Sequence, residues 1–94
     1  MTVTIDMIRD AQARIAGLVE TTPMVSSRSL SEIAGVPVRL KLEHRQTTGS
    51  FKLRGATNAV LQLADGPAIA GVTTASTGNH GRALAHAAKA RDMK

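Results

Sequence analysis

Two loops hold most of the side chains in this chain that could do chemistry. The first is Thr48-Gly49-Ser50-Phe51-Lys52-Leu53-Arg54-Gly55-Ala56, and the second is Ala75-Ser76-Thr77-Gly78-Asn79-His80-Gly81. Ser50 is a good helix N-cap, which places Lys52 in the first turn of a helix. A cation there is opposed by the partial positive charge of the helix N-terminus. Two readings of Lys52 follow. In one it is a solvated lysine, as exposed lysines are the rule. In the other, partial burial, the helix dipole and nearby Arg54 all disfavour its ammonium form. The neutral amine of the second reading suits imine formation with a carbonyl cofactor, and it can later serve as a general base.

The second loop joins a short β-branched stretch, 71–75, to an alanine-rich helix. In open α/β sheets ligands bind at this kind of place, beyond the carboxyl ends of the strands. Successive backbone N–H groups at a helix N-terminus make an anion site, so a carboxylate or phosphate could approach Ser76, Thr77, Gly78, Asn79 and His80. The alternative is an ordinary capped turn in which Asn79 holds a tight backbone conformation. His44 reads as surface and His86 as packed or solvated on its helix. No histidine pair has metal-ligand spacing, so no metal site is expected.

The elements that must position these loops can be read from periodicity. Ile5, Ile8, Ile15 and Val19 predict a helix over 4–19, capped by Thr4 and broken by Thr21-Thr22-Pro23. A short helix is expected over 29–34, with Gly35 as its stop. Apolar and polar residues alternate from Val38 to Glu43, the period of a strand. A polar loop over 44–49 leads to a helix from Ser50 to about residue 64, ended by Asp65-Gly66-Pro67. Strand 71–75 and a helix from His80 to the last residue complete the chain. Strands alternating with helices predict an α/β fold with parallel pairing. The last helix has no glycine stop and no strand after it, so the sheet is expected to be incomplete in this chain.

Composition sets outer limits. The chain is 94 residues long and 43% hydrophobic, with one Phe and no Tyr or Trp. Large side chains dominate core energetics, so the core is expected to be thin and the chain to belong to something larger. The absence of cysteine rules out disulfides and Cys-ligated zinc. No apolar run nears the roughly 20 residues that span a bilayer, and the start lacks the pattern of a secretory leader, so a soluble cytoplasmic protein without a membrane partner is expected. Twelve Lys and Arg against seven Asp and Glu give a net charge of +5. Those cations are dispersed and there is almost no aromatic surface for bases to stack on, which argues against nucleic acid.

Taken in order, the motifs resemble the opening part of the fold-type II pyridoxal-phosphate enzymes, in the threonine dehydratase and serine racemase branch. The resemblance rests on Thr22-Pro23, Leu40-Lys41-Leu42-Glu43, Ser50-Phe51-Lys52-Leu53-Arg54-Gly55-Ala56 and Ser76-Thr77-Gly78-Asn79-His80-Gly81. Within that branch, Glu43-His44-Arg45-Gln46-Thr47-Thr48-Gly49 and the run from Gly78 to His86 are most similar to the hydroxyectoine utilization dehydratases. The resemblance implies a three-layer open parallel sheet of the tryptophan synthase β-like type. It implies that 1–70 belong to the larger, cofactor-bearing domain and 71–94 begin the smaller one.

Carried over by position, Lys52 would form the Schiff base with pyridoxal 5'-phosphate and Phe51 would pack beside the cofactor ring. Asn79 would bond the cofactor's 3-hydroxyl oxygen. Ser76, Thr77, Gly78 and His80 would bind the substrate carboxylate. The racemases use a serine at the position of Thr77 as a second proton donor, so racemisation is not expected here. The implied reaction is β-elimination on a hydroxy amino acid, releasing ammonia and a keto acid, in a homodimer. The glycine-rich loop for the cofactor phosphate and the partner of the pyridine nitrogen would lie further downstream, so these 94 residues alone are expected to be inactive. A non-enzymatic anion-binding or interaction module is the rival from another class.

Overall fold

Thr4 opens the first helix as expected, its hydroxyl accepting a hydrogen bond from the Met7 N–H at 3.2 Å. The computed structural model describes residues 1–94. In chain order the elements are α1 (Ile5–Ile15), β1 (Met24–Ser26), α2 (Arg28–Ala34), β2 (Arg39–Lys41), a 3-10 turn (Glu43–Arg45), α3 (Lys52–Ala64) and α4 (Asn79–Lys89). Helix α1 stops four residues short of the predicted 19, because the chain turns at Gly17 and the Leu18 N–H bonds the Ile15 carbonyl at 3.0 Å. Helix α2 begins at Arg28 rather than residue 29. Ser27 caps it, and Gly35 ends it in the left-handed region at φ 71, donating to the Ser31 carbonyl.

The one sheet is a two-stranded antiparallel pair, with Met24 opposite Lys41, Val25 opposite Leu40 and Ser26 opposite Arg39. Parallel pairing is therefore not realised within these elements. Strand β1 escaped the sequence reading because three residues are too few to show a period of two. Residues 71–75 do not form the predicted strand either, since a strand needs a neighbour along its length. They have a partner at one end only, where the Val72 N–H donates to the Lys94 carbonyl at 2.7 Å.

The chain reaches that partner through a stop at the end of α4 that the sequence hid. The Met93 N–H bonds the Ala88 carbonyl at 3.0 Å and the Asp92 N–H bonds the Lys89 carbonyl at 3.1 Å, with Asp92 left-handed at φ 50. This is the 6→1 and 5→2 closure that glycine usually provides, here made by an aspartate. A Cβ on Gly71 would crowd the Lys94 carbonyl oxygen, so glycine suits this approach.

The core is the seam between α3 and α4, where Leu53, Ala56 and Val60 meet Ala83 and Ala87. The two helices run in the same direction. Gly49 and Arg82 adjoin at one end, while Leu63 and Ala64 share a cavity wall with Arg91 and Met93 at the other. Both helix N-termini, and with them both loops, therefore sit at the same end. The rest packs sparsely, as the composition predicts: twelve residues of the 94 are buried. The Cα radius of gyration is 16.0 Å, against about 13 Å for a compact domain of this size. No helix is long and apolar enough to cross a membrane.

Candidate active site

The loop that delivers Lys52 is tied at both ends. Its start is the turn Glu43–Arg45, after which the Gly49 N–H bonds the Gln46 carbonyl at 2.8 Å. Its end is the first turn of α3, where Leu53 is wholly buried against α4. Glu43 and Arg54 close the ring as a two-pronged pair: Arg54 Nε donates to Glu43 Oε2 at 3.0 Å and Nη2 to Oε1 at 2.8 Å. The Thr22 hydroxyl donates to the same carboxylate, and Arg54 Nη2 also reaches the Glu20 carbonyl at 3.2 Å. Gln46 makes a second tie, its Oε1 accepting from the Glu20 N–H at 2.8 Å and its Nε2 donating to the Glu20 carbonyl at 3.0 Å. Thr22 and Gln46 are both buried.

Electrostatics follow the geometry. The hydrogen bonds from Arg54 hold the Glu43 carboxyl well below its usual range, from 4.5 to about 2, against burial that acts the other way. The Thr22 hydroxyl and the charges of Arg54 and Lys41 reinforce the depression. Reciprocally, the bond it donates to Glu43 raises Arg54.

Lys52 stands at the head of this clasped loop and is exposed. Its backbone N–H points at the Ser50 hydroxyl at 3.4 Å, so Ser50 supports the helix start from one residue further out than a true cap, a position held by Phe51. Its Nζ lies 5.4 Å from the centroid of the Phe51 ring, and none of the three ion pairs includes it. Phe51 itself is 61% exposed. The burial that the sequence reading set against the ammonium is thus not present, and Arg54, expected to oppose it, is committed to Glu43.

The second loop is held only by itself. The Ser76 hydroxyl accepts from the Gly78 N–H at 3.2 Å and from the Gly81 N–H at 3.0 Å, capping α4 from within. Ser76, Thr77, Gly78, Asn79 and His80 are all exposed. The Gly78 N–H, one of the donors read as a carboxylate ligand, is therefore occupied by a neighbouring side chain. Asn79 is the first residue of α4 and has no side-chain hydrogen bond of its own. The packing of α3 on α4 brings this loop and the Lys52 loop to one end, and the Arg82 side chain bridges toward Gly49.

Comparison with known proteins decides what this arrangement belongs to. A sequence model of the family described as pyridoxal-phosphate dependent enzyme matches residues 15–94. The chain belongs to that family. It is 59% identical over 86 residues to a protein of Sinorhizobium fredii provisionally named a threonine dehydratase, covering 92% of this chain and 26% of that one. It is 40% identical over 87 residues to the L-threonine ammonia-lyase of Thermotoga maritima, covering 93% of this chain and 22% of that one. Among solved structures, maize serine racemase superposes with a TM-score of 0.85 at 45% identity, over 99% of this chain and 29% of the racemase. The fold is thus that of the fold-type II enzymes, and the chain spans about a quarter of the length of these relatives.

The family's cofactor is pyridoxal phosphate, and the residues present fit its aldehyde end. A primary amine with no ion pair, an exposed aromatic ring beside it and an unengaged amide on the second loop lie at the shared end of α3 and α4. No group of three or more His, Asp or Glu side chains could hold a metal ion. The sequence reading missed the clasp. Thr22-Pro23 and the run ending in Glu43 stand out as motif positions, yet nothing in their types tells that Glu43 meets Arg54 eleven residues on. Thr48 is also buried there, its hydroxyl without a partner.

Proposed function

We propose that this chain supplies the lysine side of a pyridoxal-phosphate-dependent β-elimination site, of the dehydratase and ammonia-lyase kind, acting on a hydroxy amino acid. The observation that supports it is that the exposed, unpaired Lys52 amine and the Asn79 loop lie at the same end of the α3–α4 seam. Lys52 would carry the cofactor and, once released from it, take the Cα proton at Nζ. When bound, pyridoxal phosphate supplies an electron sink for the charge left at Cα. Phe51 would flank the ring, and Asn79 would donate its side-chain N–H to the 3-hydroxyl oxygen. Ser76, Thr77, Gly78 and His80 would receive the substrate carboxylate through N–H groups at the α4 N-terminus. For Gly78 to take part, the Ser76 hydroxyl must release the N–H it now accepts from.

Thr77 supports elimination over racemisation, since the relatives named racemases invite the other reading. A threonine hydroxyl carries an extra methyl and has fewer free rotamers than serine from which to deliver a second proton. The proposal extends to hydroxyectoine utilization as the setting and to a homodimer as the assembly. It also places 1–70 in a larger cofactor-bearing domain and 71–94 at the start of a smaller one.

The test is to incubate the chain with pyridoxal phosphate, reduce with borohydride and map the modified peptides. Label concentrated on Lys52 is expected. Label spread over Lys41, Lys89 and Lys94 with no preference for Lys52 would overturn the reading. In a protein of the relatives' length that contains this chain, ammonia release from a hydroxy amino acid should exceed racemisation, and the reverse ratio would replace elimination by racemisation.

A further inference from the structure

The Lys52 loop shows more than a lysine at a helix start. It is a short ring of chain closed by a charged fork, and the fork is anchored to a third segment. The ring runs from Glu43 to Arg54, whose bonds at 3.0 and 2.8 Å fix both oxygens of the carboxylate. Thr22 and the Glu20 carbonyl hold the same fork to residues 20–22, and Gln46 repeats the attachment on both polar groups of the Glu20 backbone. Lys41 Nζ donates to the Thr22 carbonyl at 2.7 Å, closing the set from β2. None of these side chains is paired with Lys52, and none belongs to the apolar cluster of the α3–α4 seam.

Leu53 pins one side of the first turn of α3 to α4, and Arg54, the next residue, pins the other. Lys52 is left as the exposed residue between two fixed neighbours and the turn at Gly49. An exposed lysine side chain carries large rotamer freedom, so presenting its amine to one place requires that at least its backbone not move.

We infer that Glu43 and Arg54, steadied by Thr22 and Gln46, are positioning residues that fix the backbone of Lys52 so that its amine is presented at the end of the α3–α4 seam where the Asn79 loop also lies. The inference rests on the reading of Lys52 as the cofactor lysine.

Two measurements on the whole chain test it, and they separate its failure from that of the cofactor reading. The first is amide hydrogen exchange, which needs no cofactor. Glu43→Gln keeps the shape and removes the charge, so exchange over 46–54 should rise about tenfold, the scale of one lost charge-assisted bond. Residues 83–88 of α4 should be unchanged, and Glu32→Gln, which breaks the exposed pair with Arg28, should leave 46–54 alone. If Glu43→Gln loosens α4 as well, Arg54→Lys decides in its place, since it keeps the charge and loses the fork.

The second measurement is the share of borohydride-trapped pyridoxal phosphate found on Lys52 relative to Lys89. That share should fall several-fold in Glu43→Gln and recover in part in Glu43→Asp, which restores the carboxylate. Unchanged exchange over 46–54 overturns the clasp. Raised exchange with an unchanged Lys52 share makes the clasp structural only and overturns the positioning role, while the cofactor reading survives. A wild-type chain with no preference for Lys52 overturns both.

Discussion

The two loops end at the same place and are held there by opposite means. The Lys52 loop is closed on itself by a bidentate ion pair and tied to residues 20–22 by Arg54 and a buried glutamine, whereas the Asn79 loop bonds only to itself through Ser76. The first kind of loop is fixed by tertiary structure and can present a reactive group. The second can exchange its internal bonds for a ligand at little cost, because Ser76 and a carboxylate would compete for the same N–H groups. A site that holds one reactant covalently and must admit another has use for both.

The largest effect is expected where the two loops share a foundation. Leu53→Ala removes the side chain that docks the head of α3 on α4 and should cost about 2–5 kcal/mol. The denaturation midpoint reads it directly. A loss well under 1 kcal/mol would show that the seam does not set the positions of the loops.

The clasp predicts a pH dependence for the first loop alone. The folded Glu43 carboxyl lies near 2, below its ordinary 4.5, so its contribution is fully present above 4.5 and is lost as pH falls toward 2. The ceiling is about 3 kcal/mol, and since the Arg54 side chain is 33% exposed, water and salt bring it lower. Between pH 5 and 2.5, exchange over 46–54, corrected for intrinsic rates, should rise more than over 78–82. Parallel behaviour of the two segments would mean that the loops are not held differently. Lys41 and Arg54 are the cations that face Glu43.

Much of this was legible in the sequence, and what was not has identifiable causes. Thr4, Gly35 and the helices that follow Ser50 and Gly78 were announced by caps, stops and apolar spacing, which are local signals. The strand expected at 71–75 failed because pairing is not local: β-branched residues favour an extended chain but do not supply a neighbour. The end of α4 was hidden because Asp92 takes a conformation for which glycine is the usual signal. Lys52, Phe51, Asn79 and the Ser76 loop could be nominated by motif and placed at one end by packing. The Glu43–Arg54 fork could not, since a charge in a sequence does not say which opposite charge it meets.

The smaller effects contrast two serines. Ser76 accepts two bonds at 3.2 and 3.0 Å, while Ser50 accepts one at 3.4 Å. Ser76→Ala should therefore cost about 1 kcal/mol as a lost cap, and Ser50→Ala about a third of that, because the clasp holds α3 in its absence. Chemical denaturation of the two variants gives the order. Equal losses would mean that the first loop depends on its local cap as much as the second does.

The smallest expected change is a gain. Asp92→Gly relieves the left-handed backbone at φ 50 and keeps both closing hydrogen bonds, which should stabilise the end of α4 by about 0.5 kcal/mol. The gain should appear as slower exchange at 88–93 and leave 76–81 untouched, because the Ser76 cap acts at the other end of the helix. If exchange at 76–81 slowed too, the openness of the second loop would come from a marginal α4 and not from the way the loop bonds to itself. The comparison between the loops would then be one of helix stability, and the two ends of α4 would have to be treated as a single cooperative unit.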